Sequence, residues 1–425
     1  MKDLRALVRL TKSCYFCNVR TMNRFITLFI LLLLPLCVIA QKKQIATAQD
    51  QIKSGKDLDK AEKSMSTLLK DSLNSQNPKI WLTLHEALLA QYRQGNEKLY
   101  LKQKYDTASI FQVTYKLFET DEAFDSIFCQ RNKVSKKMLK LREKNSTLLH
   151  QIKPNLFNGG TFFINKHQYA TAFSFLNLYL RMDTLPMFRR YNYAQTDTLR
   201  PQAAYWAMYC GYKLKDANKT LLYSALAEKD SARLAYVRQY EAETFLLRKD
   251  TVNYVQALLS GFYNYPKFPF FFPRLVEYYN HKEDYKQAEN IINHALDYDS
   301  LNVVFRYAQA NTYLNMGQYD KCIDVCKQLL AGGDTIAEAY YVLGLAYFNQ
   351  AIELDKVQQN YEATRRKIAK LYKFALPYLE QYRALAPDEK EKWLAPLYTI
   401  YLNLNMGKQF DEIDHIRNEY RRNNP

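Results

Sequence analysis

Three tyrosines, Tyr279, Tyr313 and Tyr347, stand 34 residues apart. Behind the first two, matching offsets carry Asp284-Tyr285 with Ala288, then Gln318-Tyr319 with Cys322. A fixed period in the range of about 20–50 residues constrains a chain strongly. Each unit is one supersecondary element that cannot bury its apolar face alone, so it must stack on the next. Composition fits helices better than strands. Gly and Pro number only 11 and 12 in 425 residues, too few for the turns of many short strands, while 48% of the chain is hydrophobic. The 35 tyrosines suit helical hairpins, where a ring lies between helices and its hydroxyl reaches the rim.

Three consecutive units start at Pro269, Val303 and Ala337. The first places Leu275, Tyr279, Tyr285, Ala288, Ile292 and Ala295 at the repeat positions. The second places Gln309, Ala310, Tyr313, Gly317, Tyr319, Cys322 and Leu329 there. Tyr340, Leu343, Gly344 and Tyr347 open the third. Small residues let paired helices touch, and large ones fill the groove of the next hairpin. In spacing, residue type and turn chemistry this stretch resembles the tetratricopeptide repeat (TPR) family. The resemblance implies an all-α fold, a right-handed superhelical solenoid of antiparallel helical hairpins.

The third unit breaks its own period. Ala375, Leu379 and Pro387 read as its second helix, displaced by an insertion, so Asn349–Lys373 is expected to lengthen both helices into a protruding hairpin. Trp393, Tyr401, Gly407 and Phe410 mark a last unit, and the polar end Arg421-Arg422-Asn423 suits a capping helix. Upstream, Pro154–Met182 reads as a hairpin with Gly159-Gly160 at its closest approach. No strand precedes that pair and no Lys-Ser/Thr follows, so it is not a phosphate loop. Asp183–Arg200 interrupts the period and is expected as a surface excursion. Further hairpins open near Pro201 (Tyr205, Met208, Tyr212, Leu221) and Ala235 (Ala242, Phe245), closed by Tyr265-Pro266-Lys267-Phe268-Pro269.

Residues 41–150 read as degenerate hairpins and 151–425 as the repeat array, with insertions near 183–200 and 349–373. Ile45, Ala48, Ile52, Gly55 and Ala61 fit a first hairpin, and Asn77-Pro78 starts another helix. Trp81, Leu84 and Leu88 resemble the opening of a TPR helix. His85 stands where that family has a small residue, so a looser hairpin is expected. Glu97–Met138 reads as helical, with an apolar stripe through Ile110, Val113, Leu117 and Phe124.

Residues 1–40 read as a secretory signal peptide, with Met22 as an alternative start. Arg24 precedes an apolar run from Phe25 to Leu34, and Val38-Ile39-Ala40 forms the cleavage pattern before Gln41. The run falls short of the roughly 20 residues that span a bilayer. The expected location is therefore exported, in the periplasm of a Gram-negative bacterium; the alternative is a chain anchored to the inner membrane by an uncleaved signal. Cys129, Cys210, Cys322 and Cys326 remain after cleavage, too sparse for a disulfide framework, and read as buried thiols.

Chemical motifs are missing. The six histidines form no HExxH or His/Cys cluster, and there is no GxSxG, Walker loop or dinucleotide fingerprint. The expectation is a non-enzyme without cofactor or metal. Six of the cations behind the net charge of +17 lie in residues 1–40 against Asp3 alone. The rest are dispersed, as in a solvated surface and unlike a nucleic-acid footprint.

The TPR resemblance implies a concave face lined by the first helix of each pair. Carried onto this chain, it marks Phe270, Glu277, Asn280, Tyr307, Asn311, Glu338 and Tyr341 as a partner-binding groove. Aromatic rings with amides and carboxylates suit a peptide or a partner helix. The expected function is a protein–protein interaction scaffold in the cell envelope, a subunit of an envelope complex. The alternative is glycan or polymer capture on the tyrosines. A third possibility sets Arg365, Arg366, Lys367, Lys370 and Lys373 of the stretched hairpin on anionic lipid or polymer.

Overall fold

A computed structural model describes residues 41–130, 134–332, 336–357 and 362–423. The signal-peptide reading of 1–40 lies outside the described residues. Among these, the regular structure is helical and no strand occurs. The described residues divide between Val237 and Arg238 into two compact units.

The first unit holds α1 (41–54), α2 (Leu58–Leu68), α3 (Pro78–Tyr100), α4 (Thr107–Phe124), α5 (Lys136–Ile152), α6 (Pro154–Asn165), α7 (Tyr169–Arg181), α8 (Tyr193–Thr196), α9 (Arg200–Lys213), α10 (Ala217–Leu221) and α11 (Ser224–Ala227). The division falls inside α12 (Leu234–Leu247). The second unit continues with α13 (Thr251–Asn264), α14 (Phe271–His281), α15 (Tyr285–Tyr298), α16 (Val303–Asn315), α17 (Tyr319–Ala331), α18 (Ala337–Val357), α19 (Glu362–Leu385), α20 (Lys390–Asn403) and α21 (Gly407–Asn423). Successive helices pair, so the fold is an all-α array of helical hairpins of the tetratricopeptide type.

One turn builds the hairpins. A left-handed residue ends the first helix at Lys215, Lys249, Glu283 and Gly317, each 34 residues after the last. The residue after it closes the helix with a backbone bond back to its last turn: Asp216 N–H to Gly211, Asp250 to Phe245, Asp284 to Tyr279 and Gln318 to Tyr313, at 2.9–3.0 Å. Tyr279 and Tyr313 recur because they hold this position. The same three Asp residues then cap the following helix, the carboxylate accepting from Asn218 and Lys219, from Asn253, or from Gln287. At Tyr347 no turn forms, and α18 runs on through a buried Ala351.

Small residues then bring the helices together. Ala288, Ala310, Cys322 and Cys326 are fully buried. A Cβ on Gly160 would lie 2.6 Å from Leu176 Cγ, and one on Gly344 would lie 2.6 Å from Leu379 Cγ. The glycine pair of α6 is therefore a close-packing device, as its sequence context implies. The insertion lengthens α18 and α19 to 21 and 24 residues, as expected. Its inner face packs: Ala351, Ile368 and Tyr372 join a core with Trp393, Leu397 and Tyr401.

Three expectations for the first unit need correction. Asp183–Arg200 is not a surface excursion. Two 3-10 turns and α8 fold Met187, Phe188 and Tyr193 into the interior. Arg200 donates to the Leu180 carbonyl at 2.9 Å and to Asp183 at 2.6 Å. The Lys153 ammonium lies 3.8 Å from the Tyr179 ring centre and 4.3 Å from that of Tyr193, and pairs with Asp197, which also accepts from Tyr179 at 2.7 Å. Burial pushes Lys153 below its ordinary value, against the pull of Asp197. Burial would raise Asp197, yet Lys153 and Tyr179 hold it below the usual carboxylate range.

His85 does not loosen its hairpin either. It is buried, its Nδ1 lies 2.9 Å from Asp121 Oδ1, and Asn145 donates to that same oxygen at 3.0 Å. A polar link across α3, α4 and α5 takes the place of a small-residue contact. The stripe Ile110, Val113, Leu117 and Phe124 is buried on α4, but the helix expected over 97–138 is interrupted between α3 and α4 and again by a π turn at Asp125–Cys129.

Candidate partner-binding groove

The groove lies in the second unit, between α14 and α16, the first helices of two neighbouring hairpins. Residues three and four apart share a helical face. Pro273, Val276, Glu277 and Asn280 therefore form one wall, and Val304, Tyr307, Ala308, Asn311 and Asn315 the other. Together they enclose about 410 Å³. The walls are fixed from below: the Phe272 and Phe305 rings meet at 4.5 Å, and Asn280 donates to Thr312 at 3.3 Å. The amides of Asn311 and Asn315 have no hydrogen-bond partner among the described residues, and so remain available to a ligand.

Four of the seven residues marked by sequence, Glu277, Asn280, Tyr307 and Asn311, line this space. Phe270 does not. It precedes α14 and turns into the core, where it meets Phe271 edge-on at 5.3 Å while the Arg274 guanidinium covers it at 3.8 Å. Tyr341 is also withdrawn: its ring packs on Tyr382 of α19 at 4.8 Å. Glu338 is exposed on α18 outside the groove. Burial raises the Tyr307 phenol above its ordinary value, Glu338 adds to this, and Lys392 opposes it.

A second depression of about 460 Å³ adjoins the first, sharing Phe272, Pro273 and Val304. The linker Pro266-Lys267-Phe268-Pro269 forms one side; Tyr298, Asp299, Asn302 and Phe305 form the other. Val304 and Tyr298 are 54% and 51% exposed although apolar, and Leu301 beyond them is 76% exposed. Sequence reasoning on helix positions missed this site because loops build it. Its signal was the linker Tyr265-Pro266-Lys267-Phe268-Pro269, whose prolines cannot continue the preceding helix and whose rings, Tyr265 and Phe268, are only partly buried. In the first unit the corresponding space between α1 and α3, about 360 Å³, is lined largely by charged and polar groups, among them Lys42, Gln49, Lys79 and Glu86.

Among the described residues, no group of three His, Cys, Asp or Glu is placed to hold a metal ion, and no helix is long and apolar enough to cross a membrane. Burial pushes the Cys210 thiol up to about 12 and Cys129 to about 11. Cys326 and burial together raise Cys322. Such thiols are poor nucleophiles. Of the basic residues on the stretched hairpin, Arg366 pairs with Glu362 at 2.5 Å, and Arg365, Lys367, Lys370 and Lys373 are exposed on α19.

No protein-family model matches this chain, and no curated protein matches it. Solved structures do. A TPR repeats protein from Bacteroides fragilis is 18% identical, with 62% of this chain and 98% of that one covered and a TM-score of 0.30. The TPR domain of P58(IPK) is 11% identical over 87% of this chain and 98% of that one, at a TM-score of 0.27. A tetratricopeptide repeat protein from Parabacteroides merdae is 12% identical over 79% and 92%, at 0.18. The fold assignment rests on the hairpins themselves and not on these overlays.

Proposed function

We propose that the protein is a non-enzymatic scaffold that holds a segment of another protein between α14 and α16. The observation that carries this reading is the groove itself. Two adjoining depressions combine exposed apolar side chains with the amides of Asn311 and Asn315, which have no hydrogen-bond partner among the described residues, on walls fixed by aromatic packing. Apolar floor, polar rim and rigid support are what an interface needs before its partner arrives. The reading of residues 1–40 as a signal peptide places this scaffold in the envelope, as a subunit of a complex there.

Glycan capture finds less support. It requires open rings, and of the two groove tyrosines marked for it Tyr341 packs against Tyr382 with its ring tilted by 35°. Affinity purification from envelope fractions tests the scaffold reading, comparing the wild type with Val304→Lys. That residue is exposed, so the variant should fold normally. The same partner should be recovered with the wild type and lost with the variant. Recovery by both would remove the groove from the account, and glycan binding abolished by Tyr307→Ala would replace it.

A further inference from the structure

We infer that the outward face of α19, on the stretched hairpin, docks onto an anionic phospholipid bilayer. This surface is separate from the groove between α14 and α16, and the failure of one reading leaves the other intact.

Between Glu362 and Phe374 the chain sets five cations against one acid. Helical geometry sorts them, since a turn takes about 3.6 residues. Thr364, Ile368, Tyr372 and Ala375 are buried and define the inner face of α19. Arg366, Lys370 and Lys373, four and three apart, fall on the opposite face and are exposed. Lys367 and Phe374 flank that row on one side, and Arg365 lies on the other. Like charges at such spacing weaken a helix slightly, so the row does not serve the fold.

The flank is aromatic as well as basic. Phe374 is 44% exposed, with its ring 5.4 Å from that of Tyr347 and the Lys370 ammonium 5.6 Å from its centre. Lys327 of α17 lies 5.8 Å from the Tyr347 ring centre and extends the positive side.

The neighbouring carboxylates leave most of this charge standing. Glu362 pairs with Arg366, Glu353 accepts from Tyr319 at 2.7 Å, and Asp320 accepts from Gln350 at 2.8 Å. Glu380 accepts from Tyr401 at 3.0 Å. Asp355 acts on Tyr372, on the inner face, and Asp324 acts on Lys327 after Tyr347 and Tyr378. Lys367, Lys370 and Lys373 form no ion pair among the described residues.

A bilayer suits this surface better than a folded partner does. Lysine is depleted in protein interfaces, where a long side chain must be fixed in one geometry. A fluid anionic surface needs only a cluster of some four to eight cations near its plane. The ring of Phe374 then enters the headgroup region among them.

Sedimentation with vesicles tests this, using the chain from Gln41 onward so that the apolar run Phe25–Leu34 takes no part. Vesicles are phosphatidylcholine alone, or phosphatidylcholine mixed equally with phosphatidylglycerol. The wild type should bind only the mixed vesicles, and rising salt should release it. Lys370→Glu with Lys373→Glu should weaken this binding by about tenfold or more. Lys282→Glu with Lys286→Glu changes the net charge equally at exposed positions and should leave binding nearly intact. Phe374→Ser should weaken it about threefold. Melting curves confirm that each variant folds. If both charge-reversed pairs lose binding alike, the attraction belongs to net charge and the α19 surface is wrong. If the wild type binds both vesicles equally, or neither, the bilayer is wrong. Soluble polyphosphate retained by the wild type and lost with Lys370→Glu and Lys373→Glu would then give these cations to a soluble polyanion instead.

Discussion

The second unit's regular hairpins and the irregular stretch from α5 to α9 hold their helices together by different chemistry. In the first, Ala288, Ala310 and Cys322 leave room for a neighbouring helix, and one turn repeats every 34 residues. In the second, where Gly160 still packs closely on Leu176, polar long-range contacts are added: Lys153 with Asp197, Arg200 with Leu180 and Asp183, His150 with Tyr193. Small-residue packing works wherever two helices approach, so it can recur. A buried ion pair needs a particular partner at a particular place. It contributes more to uniqueness than to stability, since desolvation offsets its attraction.

Breaking that ion pair should give the largest effect. Lys153→Met strands Asp197 in a poorly solvated site, and about 3–5 kcal/mol should be lost. Adding Asp197→Asn should restore at least half, because the uncompensated charge is gone while Tyr179 keeps an acceptor. Urea unfolding of both variants checks this. If the double variant is no better than the single one, the pair is a stabilising contact and the contrast between the two regions weakens.

Glycine positions come next. A Cβ on Gly211 would lie 2.4 Å from the Thr220 backbone nitrogen, whereas on Gly344 it meets the Leu379 side chain at 2.6 Å. Overpacking costs about 1–3 kcal/mol. Gly211→Ala should fall at the top of that range, since α10 would have to move, and Gly344→Ala at the bottom, since Leu379 can change rotamer. Equal shifts in melting temperature would contradict this ordering.

A smaller effect is expected with pH. Burial, then Lys153 and Arg190, hold His150 below its ordinary value. The unfolded chain thus takes up this proton near pH 6.5 while the folded chain resists it. The stability concerned is complete above that pH and declines as pH falls below it. His150→Gln should flatten the decline, read as unfolding midpoints between about pH 8 and 5. The smallest effect belongs to the exposed face of α19. Lys370→Glu with Lys373→Glu should change stability by no more than about 0.5 kcal/mol. A larger loss would mean that these charges hold the stretched hairpin together.

The same contrast explains what was legible beforehand. Tyr279, Tyr313, Ala288 and Cys322 announce the hairpins because one steric requirement recurs at one spacing. The register of Asp284 also ran back through Asp250 and Asp216, a helix cap every 34 residues that residue-type matching on the tyrosines did not extend upstream. The packing of 183–200 was hidden because Asp197 meets a lysine 44 positions away, and composition alone looks like a polar loop. Of the groove, residues on helix positions were legible in Glu277, Asn280, Tyr307 and Asn311. Phe270 and Tyr341 were misplaced because a position on a helix face does not reveal which neighbour covers it.

Site-specific photocrosslinking in cells tests the central claim most directly. A benzophenone side chain is placed at position 311 on the groove wall, and for comparison at exposed position 402 on α20. The account predicts one discrete protein adduct from position 311, abolished when Val304→Lys is added and missing from position 402. The same adducts from both positions, or an adduct from 311 that survives Val304→Lys, would contradict it.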